Sequence, residues 1–284
     1  MGIRAPRRST ATLMAAGAIA SGGSLYVGVR NLLVGQADRA RLMIPKACAT
    51  PPRADGVYVP GDAPVQRYQR DMAVDLHLMI FGDSTATGYG CLSADEVPGA
   101  LIAKALARRG GLRVRLSTKA IVGATSKGLA GQVDAMFVAG PPPDAAVIMI
   151  GANDVTSFNG IAGSVQRLHA AVRRLRAAGA AVIVTTCPDL GAVSAIPQPL
   201  RWIAHTRARQ LARAQARAVK AAGGTTVPFA DFRAREFRDA PELLFAQDQY
   251  HPSAAGYALA TMQVIPALCA ALDRPDSRSA TTSD

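Results

Sequence analysis

The chain has 284 residues, 49% of them hydrophobic and 18% charged, which is too apolar for a disordered chain and long enough for one domain of ~200 residues with flanking segments. Four cysteines at scattered positions form no CxxC pair, and with only four histidines they argue against a disulfide-dense scaffold, a zinc ribbon or a multi-metal protein. The net charge of +12 comes from 27 arginines and five lysines spread along the chain; without aromatic interleaving or a recognition motif it reads as compositional bias, with no nucleic-acid partner expected.

Arg4, Arg7 and Arg8 precede an uncharged run from Ser9 to Val29, the arrangement of a positive region before a segment threaded across a membrane. Residues 1–46 are therefore read as an export signal or membrane anchor. An Ala18-Ile19-Ala20 triplet offers a cleavage site; uncut, the run would tether a protein whose bulk lies outside the cytoplasm. Pro45, Pro51, Pro52, Pro60 and Pro64 follow without a clear period, so residues 47–71 are read as an extended linker. The folded domain is expected over 72–272, with 273–284 a polar, disordered tail.

Val74 to Phe81 (VDLHLMIF) is a near-continuous apolar run, as in a strand buried on both faces of a parallel sheet. Arg113 to Thr118, Ala145 to Ile150, Ala181 to Thr185 and the weaker Thr225 to Phe229 are four further strand candidates. Between them Pro98 to Arg109, Lys127 to Val138, Ile161 to Ala178, Leu200 to Ala222 and Pro252 to Leu272 carry Ala, Leu and Arg at helical spacing. This alternation predicts a three-layer α/β/α sandwich around a five-stranded parallel sheet, with ligands beyond the carboxyl ends of the strands.

Three segments at those carboxyl ends carry chemistry. Gly82-Asp83-Ser84 closes the first strand, where glycine permits a sharp turn and a serine can sit at a helix amino terminus among backbone N–H donors. Alone this serine would be a plain N-cap. Gly151-Ala152-Asn153-Asp154 closes the third strand, and Asn153 offers an amide donor to a developing oxyanion; a simple Asn-Asp turn would look the same. Asp248-Gln249-Tyr250-His251-Pro252 sets a carboxylate three residues before a histidine, able to orient the imidazole while its other nitrogen faces a nucleophile. His77, inside the first strand, reads as a core residue; His169 and His205, on Arg-rich helices, read as surface.

Together with Gly123 in IVGATSKG, these blocks in this order resemble the SGNH (GDSL-type) hydrolase family, from the first strand to the last helix. The resemblance implies a flavodoxin-like five-stranded sheet, Ser84 as nucleophile, His251 as general base and then acid, and Asp248 orienting His251. It further implies an oxyanion hole of the Ser84 and Gly123 N–H groups and the Asn153 side chain. Asp83, Gly151 and Asp154 are read as supporting, the two carboxylates through turn and backbone hydrogen bonds. The implied partner is a small-molecule or lipid ester, with the membrane met through the N-terminal segment.

Rival motifs fail. Gly123 to Gly128 has the glycine spacing of a phosphate loop but continues Leu129-Ala130, no Gly-x-Ser-x-Gly surrounds Ser84, and no dinucleotide fingerprint opens the first helix. Neither cofactor nor metal is expected. Cys91, just beyond the nucleophile, could capture Cys48, whereas Cys187 and Cys269 belong to opposite ends of the domain. Cys91 to Val97 and Leu190 to Gln198 are expected to line a pocket for short-to-medium acyl esters. The alternatives are a carbohydrate or cell-wall O-acetyl esterase, a non-catalytic envelope module binding lipid or glycan, and a basic chain acting at anionic membranes through its Arg-rich helices.

Overall fold

The computed structural model describes residues 28, 31–37, 39, 50–61, 63–138, 140–229 and 234–273. The uncharged N-terminal run apart from Gly28, Cys48 with its suggested pairing, and the tail beyond residue 273 lie outside the described residues. Six strands form one sheet: β1 (Gly56–Tyr58), β2 (Leu76–Gly82), β3 (Val114–Thr118), β4 (Ala145–Met149), β5 (Ala181–Thr185) and β6 (Thr225–Val227), side by side as β1-β3-β2-β4-β5-β6. β2 to β6 are parallel, and among themselves they follow the doubly wound, flavodoxin-like order.

β1 adds a sixth, antiparallel strand to the five parallel ones expected. It runs antiparallel on β3, Val57 opposite Arg115, and Val57 exchanges two further backbone bonds with Gln66, at 2.7 and 3.0 Å. Ala54, Gly56, Val57 and Tyr58 are buried, so the stretch read as linker covers the edge of β3 instead of leaving it open. Three residues among prolines are too short to show a period, which is why the strand was invisible in the pattern.

Alternation along the strands sorts the core into two layers. Leu78 and Ile80 of β2, Val147 of β4 and Ile183 of β5 face helices α2 (Pro98–Gly110) and α9 (Ala254–Leu272). Met79 and Phe81, Ile148, and Val182 with Val184 face the opposite layer of α3 (Leu129–Val138), α5 (Ile161–Ala177) and α6 (Leu200–Ala221). Both faces of the sheet are covered, as a parallel sheet requires. Short helices α1 (Ser84–Thr87), α4 (Ala152–Thr156), α7 (Ala234–Asp239) and α8 (Pro241–Leu244) sit in the connections. The last helix opens with Ser253 as N-cap, its hydroxyl accepting from Gly256 N–H, not at Pro252; Pro252 instead bridges to Phe245. α9 is long and apolar enough to cross a membrane, but Tyr257, Val264 and Leu268 bury it in the core.

β2 must end on glycine. Gly82 lies at φ +134°, and a Cβ there would sit 1.9 Å from the Met149 carbonyl oxygen and 3.1 Å from Ala86 Cβ. The Gly82→Ala substitution is expected to cost at least about 3 kcal/mol, read as a lowered urea midpoint; a midpoint equal to the parent's would show that the strand end relaxes freely.

Candidate active site

The nucleophile candidate is built by the strand it terminates. Asp83 N-caps α1, its carboxylate accepting from Thr85 N–H at 2.9 Å. That leaves Ser84 as the first helical residue, where the N–H has no partner one turn back. Behind it the Gln132 side-chain amide brackets Gly82 from both sides, accepting from its N–H and donating to its carbonyl, each at 2.8 Å. The Asp83 N–H donates to Met149 O at 3.1 Å, so the turn is fixed to the neighbouring strand.

The histidine comes from the opposite end of the chain. Gln249, at φ +53°, tightens the loop after α8, in which Ala246 N–H donates to His251 O at 2.8 Å. One carboxylate oxygen of Asp248 accepts from the backbone N–H groups of Tyr250 and His251, at 3.0 and 2.9 Å; the other lies 2.6 Å from His251 Nδ1. An imidazole whose Nδ1–H donates to that carboxylate presents Nε2 as acceptor, and Nε2 lies 2.9 Å from Ser84 Oγ. Tyr89 and Tyr250 flank the ring, with centroids 4.4 and 5.0 Å from it, and the Tyr257 hydroxyl donates to Tyr89 O. Ser84 and His251 are each 6% exposed, so solvent competes little for the Oγ–Nε2 contact.

Electrostatics separates the two carboxylates. Burial pushes Asp248 up, but the hydrogen bonds from the His251 side chain and from the backbone of His251 and Tyr250 outweigh it and hold the carboxyl below its ordinary value. Asp83 goes the other way: burial dominates, and despite N–H donors from Thr85 and Gly151 its pKa is raised to about 6. The thiols are poor rivals as nucleophiles. Burial pushes Cys91 up to about 12 and Cys187 well above its ordinary value, and with Cys269 both are free thiols.

The other expected residues converge on the same edge. Ile121 N–H donates to Gly82 O at 3.1 Å, and Ala124 N–H closes a turn on Ile121 O. Gly123 lies within that turn at φ +79°. Asn153 donates one amide hydrogen to Ala124 O at 2.9 Å, leaving the second for a ligand. Gly151 permits close approach: a Cβ there would meet Cys187 Cβ at 2.9 Å.

Asp154 departs from the expectation of backbone bonds alone. Its carboxylate accepts from Ser126 N–H and Oγ, Asn159 Nδ2 and Ser164 Oγ, at 2.7–3.0 Å, so it ties the Gly123 loop to α4 and α5. His205 also differs from a plain surface residue. Its Nδ1 lies 2.6 Å from Asp189, a carboxylate that also meets Arg238 at 3.3 Å.

Sequence reasoning missed the two glutamines that brace the site. Gln215 accepts from Cys187 N–H and donates to Ile150 O, doing for β4 and β5 what Gln132 does for β2. Each stands on an otherwise apolar helical stripe, Leu129-Gln132-Val133-Met136 and Leu211-Ala212-Gln215-Val219. A lone amide on such a stripe is a readable signal, because a buried amide must find partners.

Beside His251 lies a cavity of about 90 Å³. Leu190, Ala192 and Val193 line it, together with Phe229, Phe237 and Phe245. The expectation that Cys91 to Val97 would line the pocket is corrected. Glu96 accepts from the N–H groups of Leu92 and Ser93, and the resulting capped turn leaves Leu92 95% exposed.

Residues 80–259 match the GDSL-like Lipase/Acylhydrolase family. The chain is 68% identical over 255 residues, 90% of its length and 81% of the relative's, to the GDSL-like esterase Rv1075c of Mycobacterium tuberculosis. Among solved structures it resembles the psychrotrophic esterase EstA from Pseudoalteromonas sp. (TM-score 0.56, 19% identity, 70% of this chain and 100% of that one). It also resembles the lipase/acylhydrolase from Enterococcus faecalis (TM-score 0.54, 22% identity, 67% and 94%). At those identities the likeness is one of fold.

A carboxyl whose folded-state pKa is raised from 3.8 to about 6 withholds nothing below its unfolded pKa and costs stability as pH rises through the folded one. Asp248, held low, acts in the opposite sense, losing its contribution as pH falls. Relative to the parent, Asp83→Asn should therefore gain up to roughly 3 kcal/mol between pH 4 and 7, followed by urea unfolding; parallel stability curves would contradict this.

Proposed function

The chain belongs to the GDSL-like lipase/acylhydrolase family and is a carboxylic ester hydrolase, and from that premise we propose that it cleaves short-to-medium acyl esters through a Ser84 acyl-enzyme. The observation that carries the reading is the buried chain Asp248 carboxylate, His251 Nδ1, His251 Nε2, Ser84 Oγ, with contacts of 2.6 and 2.9 Å. Ser84 Oγ attacks the ester carbonyl carbon as its proton passes to His251 Nε2. The imidazolium formed is stabilised by Asp248, whose depressed pKa keeps it ionised while the proton resides on histidine. The Ser84 and Gly123 N–H groups and the Asn153 amide receive the oxyanion. On collapse the departing alkoxide takes the proton from Nε2. Water, activated by the same nitrogen, then releases the acid and restores Ser84.

The cavity supports the acyl range. A water needs ~10–15 Å³ of such space, so about 90 Å³ holds roughly six to nine water-sized groups, room for a short-to-medium acyl chain. Its phenylalanine walls favour an alkyl chain over a sugar, which sets this reading above the O-acetyl esterase. The uncharged run behind Arg4, Arg7 and Arg8 supports an enzyme working outside the cytoplasm, secreted or held at the membrane by its N-terminal segment.

The test is hydrolysis of p-nitrophenyl acetate, butyrate and octanoate, with a fluorophosphonate label located by peptide mass. Ser84→Ala should lose the label and at least about 10³-fold in kcat, and Asn153→Ala about 10²–10³-fold in kcat; full turnover in Ser84→Ala would overturn the proposal. Phe237→Ala, which opens the cavity wall, should move the preferred acyl chain longer by about two methylenes, seen in kcat/KM across the ester series.

A further inference from the structure

Eleven large apolar side chains are exposed among the described residues, and scattered singly they would need no explanation. Five of the eleven share one placement. Leu92 follows β2, Ile121 follows β3, Phe158 follows β4, Trp202 stands in the first turn of the helix after β5, and Leu243 follows β6. Each parallel strand thus has one such side chain between its carboxyl end and the first turn of the long helix that follows, and those stretches hold Ser84, Asn153 and His251. Phe158 is fixed there at φ +52°, with the Arg207 guanidinium 5.3 Å from its ring centroid.

Two more of the eleven, Leu32 and Val34, lie in the helical residues 31–37. The fold receives that helix beside Trp202: Gln36 donates to Gln198 O and accepts from Leu200 N–H. Leu33 and Ala37 pack on the cluster of Leu190, Val193 and Leu200. Directly before this helix in sequence comes Arg30 and the uncharged run Ser9 to Val29. The described helix 31–37, next in sequence to that run, therefore sits at the edge at which the active site opens.

We propose that this carboxyl-edge face docks on a lipid bilayer, its rim of Leu92, Ile121, Phe158, Trp202 and Leu243 entering the boundary between headgroups and acyl chains. The ester then passes from the lipid phase to Ser84 without crossing bulk water. Aromatic and aliphatic side chains gain most at that boundary, and an enzyme drawing on a lipid phase needs its mouth, not its flank, against it. This deepens the esterase reading of Ser84 and rests on it for the substrate, while docking itself is independent of turnover.

Trp202 is the single tryptophan of the chain, 64% exposed, and so reports on the rim alone. With the full chain on phosphatidylcholine–phosphatidylglycerol vesicles, its emission should shift to the blue, be quenched by brominated acyl chains, and lose at least about twofold in acrylamide quenching. Sedimentation with the vesicles while Trp202 stays open to acrylamide and untouched by bromine would show anchoring without docking and overturn the proposal; failure to sediment would overturn it too. The Leu92→Ser, Leu243→Ser double variant should hydrolyse soluble p-nitrophenyl butyrate as the parent does, yet lose about tenfold or more on a vesicle-borne ester. Equal rates on both substrates would count against docking, whereas an inactive parent on the soluble ester would strike the esterase reading and leave the fluorescence result standing.

Discussion

Between the α-carbon of Gly82 and the carbonyl of Met149 there is no room for a side chain, since a Cβ would lie 1.9 Å from that oxygen. The contact lets β2 and β4 stay paired to their last residues while the chain swings into α1. Because β2 and β4 share this junction, the serine that leaves one strand and the asparagine that follows the other are held in a common frame. Gln132 and Gln215 extend the frame sideways, each using a buried amide to occupy backbone groups that the ending ladder leaves over. The catalytic side chains themselves make few of these bonds. Rigidity is supplied from behind, and Ser84 Oγ and His251 Nε2 are left to meet each other.

The same arrangement assigns opposite tasks to two aspartates. Asp248 receives donors on both oxygens and is stabilised as an anion, the state that serves a histidine cycling through its cationic form. Asp83 is sealed at the strand end, where burial outweighs its two N–H donors and makes the negative charge costly. It holds the turn in which Ser84 sits, at some expense to the stability of the fold. A site that keeps a destabilising group for geometric reasons is a familiar pattern in enzymes.

What could be read from the sequence was what repeats locally. Five apolar runs and five helical stripes announced the sandwich, and glycine with polar residues at the strand ends announced where chemistry would gather. β1 escaped because three residues among prolines carry no period. The cavity walls at Phe229, Phe237 and Phe245 escaped because their neighbours are set by tertiary packing, not by a local period. Leu92 was misplaced for a related reason: its orientation is decided by Glu96 capping a turn, a contact that composition does not reveal. Asp154 was recognised as structural, but its three side-chain partners lie up to 28 residues away and only the fold brings them together.

Ser84 and His251 are 167 positions apart, the first just past the end of the opening parallel strand and the second just ahead of the final helix. Neither half of the chain holds a working constellation. A nascent polypeptide that has not yet reached His251 has no base beside its serine, so the paired site requires almost the whole domain. Under the proposed export, the same topology would keep the chain without a paired serine and histidine until its last segments had crossed.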